Sequence, residues 1–437
     1  MLGIIGLIGG LALLTVLVMR GMNLLIVAPI SALFVALLNG VPVFSQFAEK
    51  GQTDFITGYM DGFSGFITSW YLMFLTGAIF GKVMEDSGAA ESVSHWIISK
   101  IGMKRAVLAI VLACGVLTYG GVSLFVVAFA VYPMAVSLFK ESNYPRRFIP
   151  AALALGSTTF TMTSAGSPEI QNWIPIPYLH TSPYAAWEVS LVTALFMLIA
   201  GYLWLMHMIK KAKRNGEVFI ERENDEFEKR KHLPNPFLSM IPLFVVLIVS
   251  FLLHTVLEQS ALIISLSSGI IATWLLNRSY FRDFWKAVGK GTEGALIALG
   301  NTSAVVGFGS VAKITPAFND AIEYVTHLNG SPLITGAVAV MVIAGLTGSS
   351  SGGQTIALPI LAPHYIDMGV DTEALHRTVA LSSGTLDSLP HGGYAVTTIR
   401  SIAGETHKDA YPAFGAMTVL VPIAAVIIAI ILFTLGM

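Results

Sequence analysis

Two polar breaks in otherwise apolar sequence constrain this chain most: TYGGVS at Thr118 to Ser123, and TGSSSGGQT at Thr347 to Thr355. Each follows an apolar run ending in Leu-Thr and precedes another apolar run, so the backbone leaves the helix where hydrocarbon surrounds it. Lipid cannot hydrogen-bond free N–H and C=O groups, and such backbone survives only inside protein or beside a cavity. The breaks occupy corresponding places in two similar halves, a pattern that implies an internal repeat with a binding site between the halves.

Composition supports residence in a membrane. Of 437 residues, 54% are hydrophobic and 12% charged, with mean hydropathy +0.73, beyond what a soluble core needs. Windows long enough to span lie at Leu2 to Met19, Asn23 to Leu38, Ser69 to Met84, Ala186 to Met208, Phe237 to Val256, Ala261 to Leu276 and Met417 to Leu435. The first lacks a basic start and reads as a retained helix, not a cleaved signal. A net charge of −1 gives nucleic acid nothing to bind, and none is expected as a partner. The single cysteine, Cys114, excludes a disulfide framework and a cysteine metal site. It reads as a small packing residue, and neither metal nor cofactor is expected.

A hydrophilic stretch from Lys210 to Pro236 mixes both charge signs. It divides the chain into an N-terminal membrane repeat (1–208), a solvated cytoplasmic linker (209–236) and a C-terminal membrane repeat (237–437). Both halves order alike: two spans, an amphipathic stretch (Phe44 to Phe66, and near Phe284), a span ending at a lysine (Lys82, Lys313), the break, then a second polar segment. These second segments are GSTTFTMTSAGSPEIQNW (Gly156 to Trp173) and SSGTLDSLPHGG (Ser382 to Gly393), preceded by Arg147 and Arg377. The expected fold is an all-α polytopic membrane protein of two five-crossing halves, each first break being the tip of a re-entrant hairpin. An odd number of crossings inverts the second half. With the linker in the cytoplasm both termini lie outside, and all of the 25 Lys and Arg except Lys50, Lys313 and Arg377 fall on the inner side.

The stretches FGKVMEDSGAAESV (Phe80 to Val93), GSTTFTMTSAGSPEIQN (Gly156 to Asn172) and SGTLDSLPHGGYAVTT (Ser383 to Thr398) resemble the gluconate permease family of the ion transporter superfamily. The likeness spans nearly the whole chain, and its specific parts are Gly-Ser-Pro-Glu and Leu-Pro-His. It implies inner-membrane secondary uptake of a small hydroxylated monocarboxylate, usually with protons, with this chain nearer the 3-hydroxybutyrate branch. It also implies an inverted repeat, each half with a re-entrant hairpin and a broken helix, and a homodimer joined by scaffold helices.

A carboxylate needs positive potential, yet no Lys or Arg lies within the broken segments. Helix N-termini and unpaired backbone N–H groups can supply it. Thr118, Gly120, Gly121 and Ser123 in one half, and Ser349, Ser350, Ser351, Gly352 and Gly353 in the other, have the chemistry for substrate binding: glycine admits close approach, and hydroxyls donate and accept. Small residues also pack helices tightly in lipid, but a run such as SSSGG after threonine favours a site. In the polar segment of the first half Thr163, Ser164, Gly166, Ser167 and Asn172 join this set. Asn301-Thr302-Ser303 interrupt a further apolar stretch and carry less weight, and Trp173 and Trp187 suit an interfacial belt.

Ionisable groups at membrane depth point to function. Glu169 follows helix-breaking Pro168, while Asp387 and His391 lie four apart with Pro390 between them, which leaves a shared helical face open. A carboxylate and an imidazole that change protonation with access suit proton coupling. Sodium is the alternative, since hydroxyls such as Thr163 and Ser164 with carbonyls at broken helices also suit Na⁺. An anion channel is the alternative of another class, since re-entrant segments also build filters. Gly348 to Gly352 formally matches GxSxG, but it lies among apolar helices without the strand-to-helix elbow that makes the serine a nucleophile. No enzyme is expected.

Overall fold

The computed structural model describes residues 2–20, 22–102, 105–222, 232–258, 260–318 and 331–437. Helix carries almost all of this chain, because it alone pairs every backbone group within one apolar segment. In the N-terminal part the helices are α1 (Leu2–Met19), α2 (Leu24–Leu38), α3 (Phe55–Asp86), α4 (Ala89–Ile101), α5 (Ala106–Tyr119), α6 (Leu124–Ser142), α7 (Ile149–Ala154), α8 (Ile176–Leu179) and α9 (Trp187–Arg214). They are followed by α10 (Pro236–Leu257), α11 (Ser260–Asn277), α12 (Phe284–Lys313), α13 (Pro332–Thr347), α14 (Ser350–Asp367), α15 (Thr372–Leu386), α16 (Gly393–Val396), α17 (His407–Gly415) and α18 (Val421–Thr434). Among the described residues seven helical stretches are long and apolar enough to cross a bilayer, α3, α6, α9, α10, α12, one including α11 and one running from α17 through α18.

Helix starts are set by local chemistry. Side chains of Asn23, Asp54, Asn235, Asp283, Asp371 and Thr406 accept from N–H groups of the first turn that have no helical partner. Two expectations change here. From Phe55 and from Phe284 onward the amphipathic stretches before Lys82 and Lys313 are not separate elements: α3 and α12 run unbroken for 32 and 30 residues, and only Phe44 to Asp54 stays outside, with one turn at Ser45–Phe47. The linker is also shorter than its charge suggests. Lys210 to Arg214 complete the last turn of α9, and of the remainder 223–231 lie outside the described residues.

Helices α3 and α12 pack closely against each other in antiparallel order. Gly58 faces Ile314, Gly62 faces Ser310 and Val306, and Gly291 faces the backbone of Ile79, so the pairs run in opposite directions along the two helices. A Cβ on Gly291 would stand 2.7 Å from Ile79 Cα, and only a missing side chain permits that approach. The α1–α2 pair packs on α12, whereas the α10–α11 pair packs on α3 and α4. Helices α5 and α6 fold back as one hairpin, and α13 and α14 as another.

Outside the membrane-spanning part, residues 217–222 form a strap. Glu217 pairs with Arg147 at 2.7 Å, Glu221 with Lys140, and Arg222 with Glu405 at 2.7 Å. Arg147 holds the Glu217 carboxyl below the ordinary carboxylate range through that hydrogen bond, which keeps the pair ionised at neutral pH.

Gly291→Leu forces α3 and α12 apart, and overpacking of this kind costs about 1–3 kcal/mol. A lowered thermal midpoint in detergent is expected for it, while Gly289→Ala, whose added Cβ meets nothing within 4 Å, leaves the midpoint unchanged.

Candidate functional site

A cavity of about 480 Å³ opens where the two hairpin tips, both second polar segments and the middle of α12 converge. One wall is apolar, built from Met73, Phe74, Leu124, Phe125, Leu262 and Leu266. The rest of the lining mixes polar groups with further apolar residues.

The hairpin tips differ in construction. At the first, α5 ends at Tyr119 and the chain turns through Gly121, whose φ of +93° is left-handed backbone that favours glycine. Gly121 and Ser123 line the cavity, and Ser123 makes no side-chain cap bond at the start of α6. Thr118 and Gly120, expected with them, do not line it. Thr118 is fully buried, and Gly120 packs against Leu243 of α10. The second break is narrower than its sequence suggests. Only Gly348, at φ +59°, and Ser349 leave the helix, and Ser350 already begins α14. Ser349 Oγ accepts from Gly352 N at 3.1 Å as the N-cap. Ser349, Ser350 and Ser351 line the cavity, whereas Gly352 and Gly353 stand behind them. Gly353 faces Ala344 so closely that a Cβ would lie 2.6 Å from its Cα.

The polar segment of the first half is a wall more than a contact surface. After a π turn at Leu155–Thr159 the chain stays largely non-helical to α9, apart from one turn at Ile170–Asn172 and α8. Glu169 lines the cavity, with Pro168 and Gln171 beside it. Thr163, Ser164, Gly166, Ser167 and Asn172, expected to bind substrate, do not line the cavity. Ser164 Oγ donates to Phe160 O, Gly166 N to Pro183 O at 2.9 Å, and Ser167 O accepts from Trp173 Nε1 at 3.0 Å. Trp173 is therefore no interfacial residue: it is completely buried, while Trp187 is exposed.

Arg377 holds this wall in place. It rises from α15, is completely buried, and donates all five of its N–H groups: Nε to Ala185 O at 3.1 Å, Nη1 to Thr163 O at 2.5 Å and Asn172 Oδ1 at 2.9 Å, Nη2 to Ala185 O at 2.9 Å and Pro183 O at 3.3 Å. Asn172 Nδ2 in turn donates to Pro183 O at 2.8 Å. Gln354 of α14 adds a second tie, its Nε2 donating to Gln171 O at 3.0 Å and Ser383 Oγ at 2.6 Å.

Asp387 and His391 both face the cavity. They do not share a helical face, because α15 kinks at Gly384 and ends at Leu386, before Pro390. The following turn aims both side chains inward. His391 Nε2 donates to Gly345 O at 2.9 Å, which fixes the proton on that nitrogen and leaves Nδ1 as the acceptor in the neutral ring. Asp387 Oδ1 accepts from Ser388 Oγ at 3.1 Å. Asn301 and Thr302 of α12 also line the cavity, while Ser303 is buried and bonds Leu299 O. Tyr394, not singled out from the sequence, lines it with its OH 2.6 Å from Ser157 Oγ. A lone tyrosine after Gly-Gly carries no sequence signal, whereas Arg377, a basic residue in an apolar helix, does.

Many apolar helices around a partly polar cavity, with two helix hairpins meeting at it, suit a multi-pass membrane transporter, and the family match below places it in the ion transporter superfamily. Residues 12–290 match the citrate transporter (CitMHS) family, and the chain belongs to that family, as a secondary transporter and not an enzyme. It is 37% identical to an uncharacterized transporter, YxjC, of Bacillus subtilis (strain 168), over 95% of both chains. It is 21% identical to the high-affinity gluconate transporter of Escherichia coli (strain K12), over 99% of this chain and 98% of that one. The fold resembles the Alcanivorax borkumensis YdaH transporter, at TM-score 0.59 and 14% identity over 97% of this chain and 98% of that one. It also resembles Neisseria gonorrhoeae MtrF, at TM-score 0.53 and 13% identity over 94% of each.

Ser349→Ala removes the N-cap of α14 at the cavity rim. A loss of about 0.5–2 kcal/mol is expected, read as a lowered thermal midpoint, with Ser349→Asp, which restores a capping acceptor, recovering most of it.

Proposed function

We propose that the protein takes up a small hydroxylated monocarboxylate, of the 3-hydroxybutyrate or gluconate type, by symport with protons. The observation that carries this reading is the make-up of the cavity: hydroxyls and backbone donors of two hairpin tips, no lysine or arginine among the described residues, and two carboxylates, Glu169 and Asp387. With both carboxylates ionised such a cavity repels anions, since unit charges at short range in a poorly screened interior interact by several kcal/mol. An anion is therefore accepted together with protons, on Glu169, Asp387 or the free Nδ1 of His391. A polyanion is disfavoured, and the apolar wall favours an acid with a hydrocarbon part. Of the two types 3-hydroxybutyrate therefore fits better than gluconate, in keeping with the resemblance to that branch. Na⁺ at the tip hydroxyls and carbonyls is the second coupling reading.

In this reading 1–208 and 237–437 are inverted halves, which is supported by the packing of α1–α2 on α12 and of α10–α11 on α3, the exchange expected about a pseudo-two-fold axis. The first hairpin tip rests on Leu243, Val246 and Leu266 of α10 and α11, while α13 touches α1. We place the strap at 217–222 in the cytoplasm, because Lys140, Arg146, Arg147 and Arg222 gather there, and both termini outside. On the resemblance alone, two copies pair through scaffold helices. An anion channel is the weaker reading, since cavity carboxylates oppose anion flow.

Uptake into proteoliposomes of 3-hydroxybutyrate, gluconate, lactate and citrate, each under a proton or a sodium gradient, tests this. Saturable accumulation of a monocarboxylate under the proton gradient, with counterflow, is expected; no accumulation of any of these under either gradient refutes it. Asp387→Asn abolishes proton-driven accumulation in a folded protein, and an unchanged pH dependence of its uptake removes Asp387 from coupling.

A further inference from the structure

We infer that Arg377 is the fixed positive charge that lets this cavity receive anions, a specificity-determining residue that acts through its field without touching the solute. The inference rests on the carboxylate reading above and adds to it the source of positive potential that the lining lacks.

Arg377 is completely buried and no carboxylate pairs with it among the described residues; its partners are the oxygens of Thr163, Pro183 and Ala185 and the amide oxygen of Asn172. The nearest acid along α15, Glu373, is exposed and accepts from Ala186 N. These acceptors are neutral, so they stabilise the guanidinium without cancelling its charge. The guanidinium also lies close behind the cavity wall: Asn172, which it bonds, adjoins Gln171, which lines the cavity within two residues of Glu169.

A staple alone does not require a cation. The same wall is tied elsewhere by neutral donors, Trp173 Nε1 to Ser167 O and Gln354 Nε2 to Gln171 O. Burying an unpaired charge is far more costly than burying an amide. The charge is retained for its field, which acts from behind the wall in favour of an incoming anion.

The test reads potential in the cavity directly. In a Cys114→Ala background, which removes the only native thiol, Thr397→Cys places a thiol on the cavity wall. Its modification rates by negatively charged sulfonatoethyl and positively charged trimethylammonioethyl methanethiosulfonate are compared with no solute present. The ratio of anionic to cationic rate is expected to fall at least about tenfold in Arg377→Met, since removing a nearby unit charge acts oppositely on the two reagents. In Arg377→Lys, which keeps the charge and loses the fork, the ratio stays within about threefold. An unchanged ratio in folded Arg377→Met overturns the inference. Should Arg377→Met fail to fold, Asn172→Asp sets a carboxylate against the same guanidinium and lowers the ratio likewise; an unchanged ratio there overturns it equally. No transported solute enters this measurement, so its failure is distinct from failure of the uptake assay.

Discussion

Backbone polar groups inside a membrane protein must find partners within the protein, and the stretch from Phe160 to Ala186 is where this chain meets that demand at the greatest length. A single side chain answers much of it. The planar fork of Arg377 binds three carbonyls that no helix satisfies and one amide that passes the bonding on to Ser167 and Pro183. Tyr119 and Ser190 take two more of these groups, the carbonyl and the N–H of Ala165. Because these partners come from α5, α9 and α15, the wall that presents Glu169 is fixed only once both parts of the chain have packed. A lysine in place of Arg377 has three donors on a flexible stem and cannot hold four acceptors in one plane.

The two hairpin tips solve the same problem by different means. The first turns on a left-handed glycine, and Ser123 keeps its hydroxyl free of capping duty. The second commits Ser349 to the N-cap of α14 and Ser350 Oγ to Ser383 Oγ at 2.8 Å, so the positive end of that helix and the hydroxyl of Ser351 stand at the cavity. Donors therefore reach the cavity from both sides, but they are unequal: one side offers a mobile hydroxyl, the other a preorganised helix terminus. In the proposed symporter the second tip orients a carboxylate and the first adjusts to the rest of the solute.

The sequence disclosed the places where chemistry concentrates better than the atoms that perform it. Pro390 lies just beyond the end of α15 and Pro168 within the non-helical wall, and the acids and imidazole beside them do face the cavity, because a buried ionisable group beside non-helical backbone has few other reasons to exist. Thr163, Ser164 and Asn172 share the polarity of a binding residue, yet spend it on the wall; composition cannot tell a hydroxyl that bonds its own backbone from one that waits for a ligand. Ser350 to Gly353 look like a break because serine and glycine are poor helix formers in isolation. Packing overrides that weak preference, and Gly353 earns its place as the contact with Ala344. Trp173 looked interfacial by type, but only the fold reveals a carbonyl within reach of its indole.

Charge decides between carrier and channel in this cavity. A pore selective for anions needs positive residues along its path and gains nothing from carboxylates there. Here the carboxylates line the cavity and the one deeply buried arginine of the wall lies behind it. With Glu169 and Asp387 ionised and Arg377 fixed, their sum is one negative charge, and a bound monocarboxylate makes it two. In the proposed symport, taking up protons or Na⁺ restores the balance, so anion and cation bind more tightly together than apart. That mutual dependence is reciprocal by linkage, and it is the thermodynamic requirement for one gradient to drive the other.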